Sequence, residues 1–470
     1  MQARPPHRFS AMAATAAISP PLSPAFVTEP QRRTPIVGEY DVVVLGGGPA
    51  GIAAAAAAGM HGRKVLLVER YGFLGGMGTA AGVTNFCGLH ANVHGEIRQV
   101  VHGVADDLLA RIDRLGGLNA PHLVFGKTMA QAYDTAAYKC AADDLLLSRG
   151  VALCFHALAT GVVMQTQSRV KALLIESKSG RGAVMARVFI DCSGDGDLAA
   201  FAGAAFEKGD EAGNTLYPTM MFRVSGVDAA RAGEAWRTVP ALMEQAEKRG
   251  VKFPRQGAIV RPQKHSNEWR VNVTQVKNAT GRAVDGTDAV ELSAGEVEGR
   301  RQALVFFDFL RREVPGFADA YIVDIPPQLG VRETRRITGQ YQLTADDVIS
   351  CASFADTVGV NGWPIENHVA GDVIWRWPDI PGSRGFNHLP YRMLVPRGFD
   401  NLLVAGRCAS MTHEGQSAAR VSGGCIVMGQ AAGTAAHLSL AGNSGCGDIA
   451  TDRLQDLLAT DGVYLGRDVT

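Results

Sequence analysis

Residues 41–51 read DVVVLGGGPAG, and no other stretch of the chain restricts its fold so strongly. The run Val42 to Leu45 has the length and β-branched content of a fully buried parallel strand, while the alanine-rich segment Ile52–Met60 has the composition of a helix. Between them Gly46, Gly48 and Gly51 form a G-x-G-x-x-G pattern. Its glycines allow an abrupt turn, a close approach of backbone to a pyrophosphate, and tight helix–strand packing, with the helix N-terminus facing the phosphate. A second strand, Lys64–Val68, ends at Glu69. That is about 20 residues on, where an acid accepts hydrogen bonds from an adenosine ribose. Together they predict a dinucleotide-binding βαβ unit; the bland alternative is a glycine-rich turn in an ordinary α/β domain.

With 470 residues the chain is long enough for two or three domain-sized units. Lysine plus arginine and aspartate plus glutamate both number 46, so no global field draws it to nucleic acid or an anionic membrane. A small polar substrate is expected instead. The eight cysteines are scattered without a C-x-x-C pair or a clustered Cys/His spacing, so neither an iron–sulfur nor a structural zinc site is indicated and no metal is expected. They suit buried small hydrophobes in a reducing, cytoplasmic compartment. Residues 1–38 are rich in Pro, Ala, Ser and Arg and read as a disordered leader. A cleaved targeting peptide, or a false start upstream of Met12, are the alternatives. No segment is apolar for long enough to cross a bilayer.

Along the chain, YGFLGGMGTAAGVTNFCGLH forms a second glycine-rich loop, and apolar spacing at Val100, Val101, Val104, Leu108, Leu109 and Ile112 predicts a helix over Glu96–Leu115. A further helix ends at Gly150, and two strands follow with a turn at SKSGRG. The last strand, Ala183 to Asp191, enters DCSGDGDLAAFAGA, a second strand–glycine–helix junction. Residues 205–385 have a different character, with mixed strands, charged helices and no nucleotide fingerprint. A buried strand then returns at Asn401–Ala405 and feeds a long Ala/Gly-rich helix. The expected architecture is α/β: a Rossmann-like FAD-binding domain built from residues 39–204 and 386–440, an inserted α+β substrate domain over 205–385, and a tail over 441–470.

Assembly from both chain ends favours FAD over NAD, because a nicotinamide domain normally occupies one continuous run of βαβ units; a nicotinamide-only enzyme is the alternative. The helix start near Gly423 and Gly424 would offer unpaired N–H groups and a positive dipole end to a reduced flavin. The motifs YDVVVLGGGPAGIAAA, VERYGFLGGMGTA, FIDCSGDGDLAAFAGA, GVRETRRITGQYQLTADDV, LPYRMLVPRGFDNLLVAGRCAS and RVSGGCIVMGQAAGTAA occur in this order. In them the chain, from about residue 38 to 440, resembles the FAD-dependent oxidoreductase family that groups with the flavin domain of the heterodisulfide reductase A subunit. More distantly it is similar to fumarate reductase flavoproteins and the glutathione-reductase-type FAD fold. The resemblance implies non-covalent FAD, with Gly46, Gly48, Pro49, Ala50 and Gly51 at the pyrophosphate and Glu69 and Arg70 at the adenosine end. It further implies Gly75, Gly76 and Met77 along the ribityl chain, Ala159 at the adenine, Ser193 and Gly194 after the returning strand, and Gly406, Arg407, Gly423 and Gly424 at the flavin. The chain lacks the iron–sulfur cysteines of the heterodisulfide reductase subunit, which argues against an electron relay.

Substrate oxidation over a flavin needs an anchor, and often a base for the accompanying proton. The run GVRETRR brings Arg332, Glu333, Arg335 and Arg336 together. An arginine fork suits a substrate carboxylate, and the resemblance puts an arginine at this entry. Arg332 or Arg335 is expected to touch substrate; the competing reading is an internal ion-pair network with Glu333. His368, His388 and His413 are the histidines in or beside the motifs, and Tyr391 and Arg392 are further pocket candidates. The pair Glu366/His368 has a metal-like spacing without a third ligand. Cys408 and Cys425 flank the flavin loop as a conceivable redox pair, though lone buried thiols are commoner. The expected activity is oxidation of a small, carboxylate-bearing metabolite, with oxygen, a quinone or a redox protein as acceptor. A fumarate-reductase-like enzyme and an electron-transfer subunit are the rivals.

Overall fold

The computed structural model describes residues 26–469. Of the leader expected over 1–38, residues 1–25 lie outside the described residues; 26–35 carry no regular structure and the first strand starts at Ile36.

The chain folds around a seven-stranded sheet. Ile36–Leu45 lies at its centre, with Val42, Val43 and Val44 wholly buried, as their unbroken apolar run demands. On one side it pairs in parallel with Val65–Val68, which pairs in parallel with Ala152–Cys154. On the other side it pairs in parallel with the long strand Gly180–Asp191. That strand serves two partners in turn. Its first half runs antiparallel to Val170–Ser177, with Ser177 opposite Gly180 and Ala172 opposite Met185. Its second half runs parallel to the late strand Leu402–Val404, with Phe189 opposite Leu402. The nucleotide-binding sheet is therefore built from both ends of the chain.

Two helices cover one face of this sheet at unusually short range. Pro49–Met60 starts directly after the glycine turn, with proline at its first position where no N–H is needed. Against it lies Ser422–Gly442, whose small residues permit contact of the two backbones. A Cβ on Gly429 would sit 2.0 Å from the Ala50 carbonyl oxygen, and one on Gly433 would sit 2.2 Å from that of Ala54.

The inserted α+β segment has a core of its own. Its antiparallel four-stranded sheet runs Ile259–Pro262, Trp269–Asn272, Phe222–Ser225, Tyr321–Asp324. Helix Ala289–Glu313 starts at Asp288, whose carboxylate accepts from the N–H groups of Val290 and Glu291. It buries Phe306 and Phe309 against Phe253, in the same apolar cluster as Trp269. Its outer face pairs Glu296 with Arg300 and Glu298 with Arg301.

The helix predicted over Glu96–Leu115 forms only from Val104 to Arg114. Glu96–Gln99 instead makes a hairpin with His90–Val93. Val100 and Val101 are buried as the spacing suggests, but Gly103, at φ +75°, breaks the path between hairpin and helix.

Candidate active site

A cavity of about 550 Å³ runs between the glycine turn of the central sheet and the inserted segment. At the turn, Gly46 has φ +98°, and a Cβ there would lie 2.4 Å from the Cys192 carbonyl oxygen. Gly51 is packed tighter still, since its Cβ would come within 1.8 Å of Gly46 O. Gly48 differs. It lines the cavity, and a Cβ on it would meet only Gly76 Cα, at 3.7 Å, so the missing side chain leaves the space beyond it open. No side chain caps the helix that begins here, so its first N–H groups lack a side-chain partner, and Pro49 and Ala50 line the cavity.

Glu69, buried at the cavity wall, accepts from Gly47 N (2.6 Å) through Oε2 and from Tyr71 N (3.0 Å) through Oε1. The same carboxylate thus fixes the turn, each oxygen accepting one backbone N–H. Arg70 donates to Gln328 Oε1 at 2.8 Å. Arg407 forms an ion pair with Asp195 at 2.7 Å and donates to Thr334 Oγ1 at 3.1 Å.

Deeper in, four arginines face the cavity: the buried Arg255, Arg270 and Arg332 and the partly exposed Arg420. Arg255 donates to both the carbonyl and the side-chain oxygen of Asn272 (2.8 Å each), and Arg332 to Tyr217 O and Thr219 Oγ1 (2.6 Å each). Arg270 donates to Val83 O. Nε of Arg255, Nε of Arg270, and Nε and Nη2 of Arg420 find no hydrogen-bond partner in the protein. Burial lowers all four from the ordinary arginine value, Arg255 to about 10. Glu366 lies among them, 4.0 Å from Arg420 Nη2, while Asp372 adds negative charge near Arg255 and Glu333 near Arg420. Burial pushes Glu366 up, but the hydrogen bond from His368 Nε2 (3.0 Å), the nearby Arg420 and the Trp363 indole N–H (2.9 Å) outweigh it and hold the group at about 2. Burial first, and Arg332 next, depress His368 well below its ordinary value, so it is a neutral imidazole donating through Nε2.

The sequence matches the model of the FAD dependent oxidoreductase family over residues 41–458. The chain belongs to that family. The cofactor of this FAD dependent oxidoreductase is therefore FAD. No curated protein matches the sequence. Among solved structures it is similar to a geranylgeranyl bacteriochlorophyll reductase-like protein from Thermoplasma acidophilum, at 13% identity over 92% of this chain and 94% of that one, with a TM-score of 0.45. It is also similar to the anhydrotetracycline hydroxylase OxyS from Streptomyces rimosus, at 12% identity over 90% of this chain and 65% of that one, with a TM-score of 0.43. The myxobacterial chondrochloren halogenase CndH shows 14% identity over 90% of this chain and 78% of that one, with a TM-score of 0.43.

The residues fit the cofactor: the cradle that a Cβ on Gly48 would intrude upon, the uncapped helix end and Glu69 form one wall of one cavity. Of the positions expected to hold FAD, Gly46, Gly48, Pro49, Ala50, Glu69, Arg70, Gly76, Met77, Ala159, Ser193, Gly194, Gly406 and Arg407 line it. Gly51 and Gly75 lie just behind the surface, shaping the turn and the neighbouring loop. Gly423 and Gly424 depart from expectation. The Gly88 backbone crosses that helix start, Gly423 N donates to Cys87 O at 2.8 Å, and the cavity is lined by Val421, Ser422 and Cys425 instead.

The catalytic candidates divide likewise. Arg332 and His368 face the cavity together. Arg335 does not; it donates to Asp195 O (3.0 Å) and Asp197 (2.9 Å). Glu333 and Arg336 form a buried ion pair, and His413 Nδ1 stands 2.8 Å from Glu333 Oε2. Within the charged run Arg332 thus lines the cavity, while Glu333, Arg335 and Arg336 belong to a bracing network. His388 packs remotely, donating to Gly466 O and accepting from Phe354 N, and the Tyr391 hydroxyl donates to Cys446 O at 2.6 Å inside the core. All eight cysteines are free, and burial raises Cys425 to about 12 and Cys408 far above its ordinary value. Among the described residues no group of three His, Cys, Asp or Glu could hold a metal ion, and no helix is long and apolar enough to cross a membrane.

Sequence reading missed Arg255, Arg270 and Arg420. Only Arg420 left a trace, standing three residues before the Gly423–Gly424 motif.

Proposed function

We propose that this FAD dependent oxidoreductase oxidises a small carboxylate-bearing metabolite, removing a proton and a hydride from it. The observation that carries the proposal is the pairing of partly unpartnered cavity arginines with the Glu366–His368 couple. Bound FAD supplies a ring that accepts a hydride at N5. Arg332 and Arg420 bind the substrate carboxylate and fix which carbon is presented. Glu366 holds the His368 tautomer by accepting from Nε2, so that Nδ1 is the free acceptor for the substrate proton. Trp363 in turn holds Glu366. The arginines that depress the basicity of His368 are those a substrate anion neutralises, so binding makes His368 a better base.

The test is anaerobic mixing of the yellow protein with carboxylate-bearing hydroxy and amino acids. Bleaching by such a compound alone supports oxidation, and His368→Ala should slow it by about 10²–10⁴-fold with FAD still bound. Bleaching only by a reduced nicotinamide, or only by a reduced protein partner, refutes the proposal in favour of a reductase or electron-transfer role.

A further inference from the structure

Four cavity guanidinium groups, three of them with enclosed nitrogens left unpartnered, exceed what Glu366 and a single substrate carboxylate satisfy. A buried charge left unpaired is strongly destabilising, so the excess calls for anions from a ligand. The glycine turn and the uncapped helix start, at another wall of the cavity, would hold the phosphates of FAD. Arg270 lies on strand Trp269–Asn272 of the inserted sheet and Arg255 is tied to Asn272 of the same strand, so this charge belongs to the substrate side. The orphaned nitrogens on Arg255, Arg270 and Arg420 are unspent donors, each atom closed off from solvent.

Beside this cluster the wall becomes aromatic. The Trp363 indole, hydrogen-bonded to Glu366, has its ring centroid 6.0 Å from that of Trp375, which meets Phe125 at 5.1 Å. All three line the cavity. Phe125 stands at a hairpin tip, 66% exposed and at φ +51°. A bulky residue held exposed in the left-handed region at a cavity mouth is the sort of outlier that clusters at ligand clamps.

Resting on the substrate oxidation proposed at this same site, we infer that the substrate is a flat aromatic acid with at least two anionic groups. The anions sit on the arginine cluster and the ring lies against Trp363, Trp375 and Phe125.

The test titrates the FAD-loaded protein with benzoate, isophthalate, benzene-1,3,5-tricarboxylate and succinate, reading tryptophan fluorescence and the flavin spectrum without turnover. The di- and tricarboxylated rings should bind at least tenfold more tightly than benzoate or succinate. Arg420→Met should erase the preference for the second carboxylate, and Arg420→Lys should keep part of it. Phe125→Ala, at an exposed tip, should weaken the aromatic acids several-fold and leave succinate unchanged. Equal binding of benzoate and the tricarboxylate, succinate binding as tightly as isophthalate, or no binding by any probe to protein that retains FAD would overturn the inference. An aliphatic carboxylate that bleaches the protein would also overturn it while sparing the proposed oxidation of a carboxylate-bearing metabolite. Tight polyacid binding with no bleaching by any carboxylate would do the reverse.

Discussion

Replacing Gly429 or Gly433 with alanine tests whether contact between two helix backbones carries the cofactor cradle. The added methyl would start 2.0 Å from Ala50 O in the first case and 2.2 Å from Ala54 O in the second, where real Cβ contacts stay beyond 3.0 Å. The helices must part by about an ångström, and neither obstacle is a side-chain end that can swing away. Overpacking of this kind costs roughly 1–3 kcal/mol. Alanine in a helix interior returns about 1 kcal/mol over glycine, leaving a net loss of about 0–2 kcal/mol for each variant. Gly442, on the same helix, is the control: a Cβ there meets only Ser444 Oγ at 3.6 Å, so Gly442→Ala should be neutral or slightly stabilising. The two tight variants also separate from each other. Ala50 belongs to the pyrophosphate turn whereas Ala54 lies one turn further along, so Gly429→Ala should weaken FAD by about tenfold, equivalent to 1.4 kcal/mol, and Gly433→Ala much less. Thermal unfolding at fixed excess FAD, with flavin fluorescence to read release, measures both effects, fixed FAD being needed because bound ligand itself raises stability. If all three variants unfold together, the close-contact account of this interface is wrong.

Gly51→Ala should purify colourless, because its Cβ would begin 1.8 Å from Gly46 O; normal flavin content would refute the turn as described. Within VRETRR the two arginines after Glu333 should respond differently. Glu333→Ala strands Arg336 and removes the acceptor of Leu216 N, costing about 3–5 kcal/mol, while Arg335→Ala, at a partly exposed pair, should cost no more than about 1 kcal/mol in urea unfolding. The reverse order would refute the assignment. His368 is held below its ordinary value when folded, so the unfolded chain takes up a proton near pH 6.5 that the folded chain refuses. Its contribution is complete above that pH and falls away below it. His368→Asn should therefore lose less stability than the parent between pH 7 and 5.5, and parallel urea midpoints would count against it.

The cofactor half of the site was legible because its signals are local. A tight turn, a pyrophosphate approach and a ribose acid each demand particular residues within one βαβ unit, and Gly46, Gly48 and Glu69 meet those demands without help from distant chain. Arg332 was legible from charge crowding, although the same crowding pointed to Arg335, which braces the junction. The other cavity arginines were not readable. Arg255 and Arg270 are single cations in ordinary surroundings, and only the fold turns them toward Arg420. His388 and Tyr391 erred in the opposite sense: they sit in a segment resembling a flavin motif, yet Asn387–Pro390 packs into the core and spends their polar atoms on Gly466 and Cys446. The helix start at Gly423 misled because dipole reasoning does not reveal that a distant carbonyl, Cys87 O, arrives first.

The strand Gly180–Asp191, with its edge divided between an early hairpin and Leu402–Val404, has a consequence during synthesis. A ribosome delivers the first half's partner at once, but the second half's partner only after the whole inserted segment has emerged. Until then half an edge stays bare, and bare edges invite foreign strands. The nascent protein can thus secure its prosthetic group only near the end of translation, and a chain halted before Leu402 should emerge flavin-free and prone to clump.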